Sequence, residues 1–250
     1  MLTQERHTII INLLKEKQTI TLQDIVQATS VSESTIRRDL VQLEEENKLV
    51  RIHGGATLTD RKLHEMTFSE KSVKNLHKKM NIAKYAASFV KEGDCIYLDA
   101  GSTVIQMIPF LKHKEVVVVT NGLTHVDILN LHGITSYLLG GRIKTRTSAL
   151  TGPQAIQSIN NYRFDKCFLG TNGFHSTYGY TTPDPDEANI KQVASSLAHQ
   201  TYVLADSSKY DLVSFAKITD LKDALLITNE LHEEQLEKLS NQTIVKVVKK

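Results

Sequence analysis

Apolar residues in the first sixty positions recur at helical spacing, separated by short polar breaks. Between Gln4 and Lys17 the apolar positions Ile9, Ile10, Leu13 and Leu14 stand among polar residues, which predicts a helix with one buried stripe. Thr21-Leu22-Gln23-Asp24 places a hydroxyl three residues ahead of a carboxylate, a capping box that opens a short helix through Ile25, Val26 and Ala28. Ser30-Val31-Ser32 reads as a tight turn. Ser32 is expected to cap a third helix with the buried stripe Ile36, Leu40 and Leu43. Leu49-Val50-Arg51-Ile52 reads as a strand, His53-Gly54-Gly55 as a turn and Ala56-Thr57-Leu58 as a returning strand. Residues 1–58 therefore form a first domain. The aperiodic stretch 59–69 reads as a linker.

The grammar then changes. A longer helix is predicted from Glu70, with Ile82, Ala83, Ala86, Phe89 and Val90 on one face. After Lys91-Glu92-Gly93-Asp94, short β-branched or apolar runs alternate with helical stretches. The runs are Cys95–Leu98, Val116–Val119, Ser136–Leu139, Cys167–Leu169, Thr201–Leu204 and Leu225–Ile227. Continuous apolar strands separated by helices predict a Rossmann-like, mostly parallel α/β domain over residues 70–250. The chain as a whole is thus α/β, with a small helical domain in front.

In the first domain, two short helices, a brief turn and a third helix describe a helix-turn-helix, and the hairpin behind it a wing. Ser34, Thr35, Arg37 and Arg38 fall near the start of the third helix, the part that meets base edges in the major groove. Arginine reads guanine bidentately, and small hydroxyls meet bases or phosphates. Arg51 and His53 in the wing are placed for phosphate or the minor groove. Residues 1–58 hold seven Lys/Arg against eight Asp/Glu, so bulk charge adds no support for DNA. A single such domain reads a short site, so a homodimer or homotetramer on double-stranded operator DNA is expected.

In the second domain, Gly, Ser, Thr, Asn, Asp and Lys gather just after five strands, the edge where open α/β sheets bind small ligands. Asp99-Ala100-Gly101-Ser102-Thr103 runs from a strand towards a helix start, where backbone N–H groups and the helix dipole favour an anion. This loop suits a phosphate monoester on Gly101, Ser102 and Thr103. It lacks the patterns GxxxxGK[ST] and GxGxxG, which argues against nucleotide hydrolysis. Asn121, Gly140, Gly141, Asp206 and Lys209 occupy the other loops. Lys144, Arg146, Lys191 and Lys209 are candidate charge partners.

Composition narrows the picture further. At 250 residues, 40% hydrophobic and 23% charged, the chain can bury a real core, and no apolar run is long enough to span a bilayer. Two cysteines and scattered histidines exclude a disulfide scaffold and offer no metal-ligand spacing, so neither metal nor cofactor is expected. The polar start MLTQERHT has no signal-peptide core, which predicts a cytoplasmic protein.

Arg6, Ile10, Leu14, the run Ser32-Glu33-Ser34-Thr35-Ile36-Arg37-Arg38-Asp39-Leu40 and the wing Ile52-His53-Gly54-Gly55-Ala56 resemble the DNA-binding signature of the DeoR family of bacterial repressors. The likeness continues through the Asp99 to Thr103 loop, Thr120-Asn121, Gly140-Gly141, Gly152, Asp165 to Gly173, Glu187 with Lys191, and Asp206-Ser207-Ser208-Lys209. The resemblance implies a ribose-5-phosphate-isomerase-like effector domain that binds a phosphorylated sugar, with Asp99, Glu187, Lys191, Asp206 and Lys209 in the pocket. The runs Glu92 to Gly101, Tyr162 to Lys166 and Thr181 to Ala188 look most like its fructose-operon members, which implies fructose 1-phosphate as inducer. The expected function is transcriptional repression, without catalysis. The competing reading is a sugar-phosphate isomerase carrying a DNA-binding domain, since Asp99, Glu187, Lys191 and Lys209 include acid–base types.

Overall fold

A computed structural model describes residues 1–17, 19–46, 48–52, 54–57 and 65–248. The chain divides into two compact units, Met1–His64 and Glu65–Lys250.

The first unit runs α1 (Thr3–Lys17), β1 (Thr19–Thr21), α2 (Leu22–Thr29), α3 (Glu33–Glu45), β2 (Val50–Ile52) and β3 (Gly55–Thr57). The Thr21–Asp24 capping box forms as predicted and starts α2. Ser32 stands at the N-cap of α3, but its hydroxyl makes no capping bond. It pairs instead with the Ser34 and Thr35 hydroxyls, each at 3.1 Å. The stripe Ile36, Leu40 and Leu43 is buried against Ile10 and Leu14 of α1 and Ile25 of α2. A bidentate pair ties α1 to α3: Arg6 Nε donates to Asp39 Oδ2 at 2.7 Å and Nη2 to Oδ1 at 2.9 Å. The predicted hairpin is present as β2 and β3, and β1, too short to be read from sequence, adds to its other side. Gly55 is required there, because a Cβ would lie 2.0 Å from the Ile20 carbonyl oxygen. His53, Leu58 and most of the stretch read as linker lie outside the described residues.

The second unit opens at Glu65, which is buried. Where one long helix is predicted from Glu70, two occur: α4 (Phe68–Val73), opened by a Thr67–Glu70 capping box, and α5 (Leu76–Ala87). The break is Asn75, at φ 55°, a left-handed conformation that asparagine tolerates better than most residues. There follow β4 (Cys95–Leu98), a 3₁₀ helix (Val104–Leu111), β5 (Val117–Thr120), α6 (His125–Leu131), β6 (Thr135–Leu138), β7 (Arg142–Lys144), β8 (Ala149–Thr151), α7 (Pro153–Ile159) and β9 (Phe164–Gly170). Then come β10 (Gly173–His175), β11 (Gly179–Thr182), α8 (Pro185–Ser196), β12 (Ala198–Leu204), β13 (Ala216–Thr219), β14 (Leu225–Thr228), α9 (Glu233–Ser240) and β15 (Val245–Val247).

Seven of these strands form one sheet in the order β15-β14-β12-β9-β4-β5-β6, and all its ladders are parallel. Its two faces pack on separate apolar clusters. One contains Ile82, Ala86 and Met107, the other Ile159, Ile190 and Leu239, so the strands are apolar on both sides. The short hairpin β7–β8 and the antiparallel sheet β10-β11-β13 complete the unit. From β4 the chain winds outward through β5 to β6, then returns with β9 on the other side of β4. The order therefore reverses between β4 and β9, and the crevice beyond their carboxyl ends is the position where open α/β sheets bind ligands.

Candidate functional site

In the first unit, Arg37, Arg38 and Arg51 line a groove between α3 and the wing with Val41, Ile52 and Gly54. Ser34, Arg37 and Arg38 are exposed, and Thr35 is half-buried. The arginines are not equally available. Arg37 pairs with Glu33 one turn earlier at 3.4 Å, and Arg51 is held by Glu44, with Nε to Oε2 at 2.6 Å and N to Oε1 at 2.9 Å. Arg38 makes no side-chain ion pair among the described residues. Glu44, at the acidic end of α3, thus reaches across and fixes the wing arginine.

In the second unit a polar cleft opens at the reversal point. Its walls include Asp99 to Thr103 after β4, Gly170 to Asn172 after β9, Ala205, Asp206, Ser208 and Lys209 after β12, and Glu187 and Lys191 from α8. Three of the five loops expected at this edge thus meet. Asp99 holds the reversal together: its Oδ2 accepts from Gly170 N at 2.9 Å and from Lys191 Nζ. Asp206 is buried and accepts from Ser208 N at 3.0 Å and from Asn75 Nδ2 at 3.2 Å. Thr147 Oγ1 donates to Glu187 Oε1 at 2.5 Å.

Three expected residues do not reach the cleft wall. Asn121 is buried beneath it and supports the loop, accepting from Ala100 N at 3.0 Å and donating to Leu150 O at 3.2 Å. Gly140 and Gly141 stand away from it. Gly141, at φ 130°, has no room for a side chain, since a Cβ there would lie 2.8 Å from the Thr151 carbonyl oxygen and 3.0 Å from Ala155 Cβ. Lys144 and Arg146 are committed to Glu65, Lys144 through an ion pair and Arg146 through the Glu65 carbonyl.

The expected α-helix start after Asp99 is also different. The segment is a 3₁₀ helix with Pro109 inside it, where no N–H is available for an α ladder. Gly101 lines the cleft, but its N–H already donates to Asp99 O at 2.7 Å. A Cβ there would be in van der Waals contact with Asp99, Gly170 and Val104, each at 3.4 Å.

The cations are where sequence reading fell short. Lys71, Lys74 and Lys79, from α4 and α5, line the cleft with Lys191 and Lys209. Lys79 is buried; its Nζ donates to Ser102 Oγ at 3.0 Å and to the Lys71 carbonyl. No carboxylate lies within ion-pair distance of it among the described residues. Burial lowers its pKa to about 8, neighbouring lysines add to that, and Asp206 partly offsets it. Burial also lowers Lys209, again against Asp206. The spacing of these lysines in the sequence carried no signal, because Lys71 and Lys79 stand on different helices on either side of the break at Asn75.

Residues 74–230 match the DeoR C terminal sensor domain, and residues 6–62 match the DeoR-like helix-turn-helix domain. The chain is 50% identical over 100% of its length, and 100% of the other's, to FruR of Bacillus subtilis (strain 168), an uncharacterised HTH-type transcriptional regulator. It is 33% identical to the lactose phosphotransferase system repressor of Staphylococcus epidermidis, over 90% of this chain and 92% of that one. A structure of ribose 5-phosphate isomerase A from Methanocaldococcus jannaschii is similar at TM-score 0.42 and 20% identity, over 54% of this chain and 55% of that one. Among the described residues, no helix is long and apolar enough to cross a membrane. With both of its units matched in order and a relative at 50% identity over the full length, the chain belongs to the DeoR family of transcriptional regulators.

Proposed function

We propose that the protein represses a sugar operon, that of fructose in particular, and leaves its operator when a sugar phosphate, fructose 1-phosphate, fills the cleft. The observation that carries this reading is Lys79: a buried ammonium with no carboxylate partner among the described residues, beside Ser102, in a cleft with four more lysines. A buried cation calls for a counter-charge, and a phosphate monoester supplies one. Asp99, Glu187, Lys191 and Asp206 also line the cleft and offer groups for the sugar hydroxyls. Among the relatives, one is a regulator named FruR and another a lactose phosphotransferase system repressor, which supports a sugar operon as the target. Isothermal titration with fructose 1-phosphate, fructose and inorganic phosphate tests it. The phosphorylated sugar should bind far more tightly than fructose; equal binding would remove the reading.

Lys79 gives that binding a pH signature. Its pKa of about 8 leaves it protonated below that value and neutral above, so affinity for fructose 1-phosphate should fall as pH rises through 8. A bound dianion favours the charged lysine, so binding near pH 8 should take up a proton, seen as a buffer-dependent heat. Lys79→Gln should bind weakly at every pH, with no uptake. A parent affinity that is flat across this range would separate Lys79 from the ligand.

For the operator, Arg38 is the groove arginine that has no ion-pair partner among the described residues, and Arg37 must first leave Glu33. Arg38→Ala should weaken a selected duplex by about 1–3 kcal/mol, and Arg37→Ala by less. Mobility shifts at fixed salt measure both, and an Arg38→Ala protein with parental affinity would exclude this residue as a base reader.

A further inference from the structure

Glu65 is the first residue of the second unit and follows directly on the segment from the DNA-binding unit. Its carboxylate is 4% exposed, and two lysines hold it: Lys71 Nζ donates to Oε1 at 2.7 Å, and Lys144 Nζ donates to Oε2. Its main-chain oxygen accepts from Arg146 Nη1 at 2.5 Å, and the Arg146 carbonyl accepts from Phe68 N at 2.8 Å. Burial pushes the Glu65 carboxyl up, but Lys71 and Lys144 outweigh it and keep the group ionised. Lys144 is shared, since it also meets Asp184 at 2.9 Å and Glu187 at 3.1 Å.

Both lysines therefore connect Glu65 to the cleft without Glu65 lining it. Lys71 lines the cleft directly, and Lys144 grips Glu187, which also lines it. Lys71 further accepts, through its carbonyl, the ammonium of Lys79. An anion bound beside Ser102 and Lys79 would thus compete with Glu65 for the ammonium of Lys71.

We propose that Glu65 is a positioning residue that makes the chain's entry into the sensor unit depend on cleft occupancy: phosphate draws Lys71 away, and the Glu65 anchor is released. The inference rests on the reading of the cleft as a sugar-phosphate site. It has a required sign. If ligand weakens the Glu65–Lys71 pair, then weakening that pair must strengthen ligand, because coupling between two binding equilibria is reciprocal. A purely structural role for Glu65 predicts the reverse, since a loosened wall binds ligand less well.

The test uses the full chain, a duplex enriched by it from a random-sequence pool, and inorganic phosphate and fructose 1-phosphate as probes. In the parent, fructose 1-phosphate should lower affinity for the duplex roughly 5- to 150-fold. Glu65→Gln should bind inorganic phosphate more tightly than the parent, while the effect of fructose 1-phosphate on the duplex shrinks below about twofold, outside that coupling range. Lys144→Met leaves Lys71 on Glu65 but removes the second lysine that holds Glu65, together with the contacts to Asp184 and Glu187, so the entry segment is loosened with or without ligand. It should also lose coupling, without any gain in phosphate affinity. Circular dichroism checks that each variant is folded, and if Glu65→Gln is not, the Lys144→Met response decides. Parental coupling in the folded variants, or phosphate affinity that drops in Glu65→Gln, overturns the proposal. If the parent binds neither probe, the sugar-phosphate reading itself fails and this inference falls with it. If the parent responds and the variants match it, only the role of Glu65 is rejected.

Discussion

Ser102→Asp is expected to leave a repressor that holds its operator and cannot be induced. The Ser102 hydroxyl receives the Lys79 ammonium at 3.0 Å, so a carboxylate there takes the lysine's charge for itself and faces the incoming phosphate with a like charge. Juxtaposed like charges cost several kcal/mol, so fructose 1-phosphate affinity should fall about a hundredfold or more. The DNA-binding unit has its own core and keeps its operator affinity. Calorimetry should show ligand heat lost, and mobility shifts should show a complex that persists at ligand levels that release the parent. If Ser102→Asp is released like the parent, the phosphate does not sit at this loop.

Ile36→Ala should have the largest effect on stability. Ile36 is fully buried on the inner side of α3, in a core of ten buried apolar residues. Removing a large aliphatic side chain from such a site costs about 2–5 kcal/mol. A single core of this size supplies only about 3–5 kcal/mol, so the substitution removes most or all of the first unit's stability and a large fraction of it should unfold at working temperature. Operator binding is then lost while the sensor still binds fructose 1-phosphate, because the sheet core contains none of these residues. Differential scanning calorimetry with and without ligand would separate the two units. Loss of ligand binding in this variant would mean that the units do not fold independently.

Features that depend on near neighbours in the chain were legible before the structure. The Thr21–Asp24 box, the α3 stripe and the alternation of strand and helix are each set by residues a few positions apart, and the parallel sheet follows from its apolar strands. What was not legible depended on residues far apart. Asn75 breaks the predicted helix ahead of its apolar face, which begins only at Ile82, and its partner Asp206 is supplied by a distant strand end. Lys79 looked like one more polar position on an amphipathic helix until Ser102 was placed against it. Asn121 and Gly141 follow strands, as ligand groups do in such sheets, yet serve neighbouring backbone and side chains. The short strands β1, β7, β8 and β10 have too few residues to show a period.

The order in which the strands pair also has a consequence during synthesis. The first unit closes on itself within the opening stretch of the chain, since its last strand, β3, pairs with β1 and β2. The centre of the sensor sheet must wait: β4 pairs with β9, so Ile96 meets Lys166 only when the ribosome has passed that point. Asp99 must wait as well for Gly170 and Lys191. A chain emerging from the amino end therefore completes its DNA-reading module while its ligand-reading module is still half translated. If the cleft is the inducer site proposed above, a nascent or truncated chain of this kind would meet DNA before it could answer to ligand.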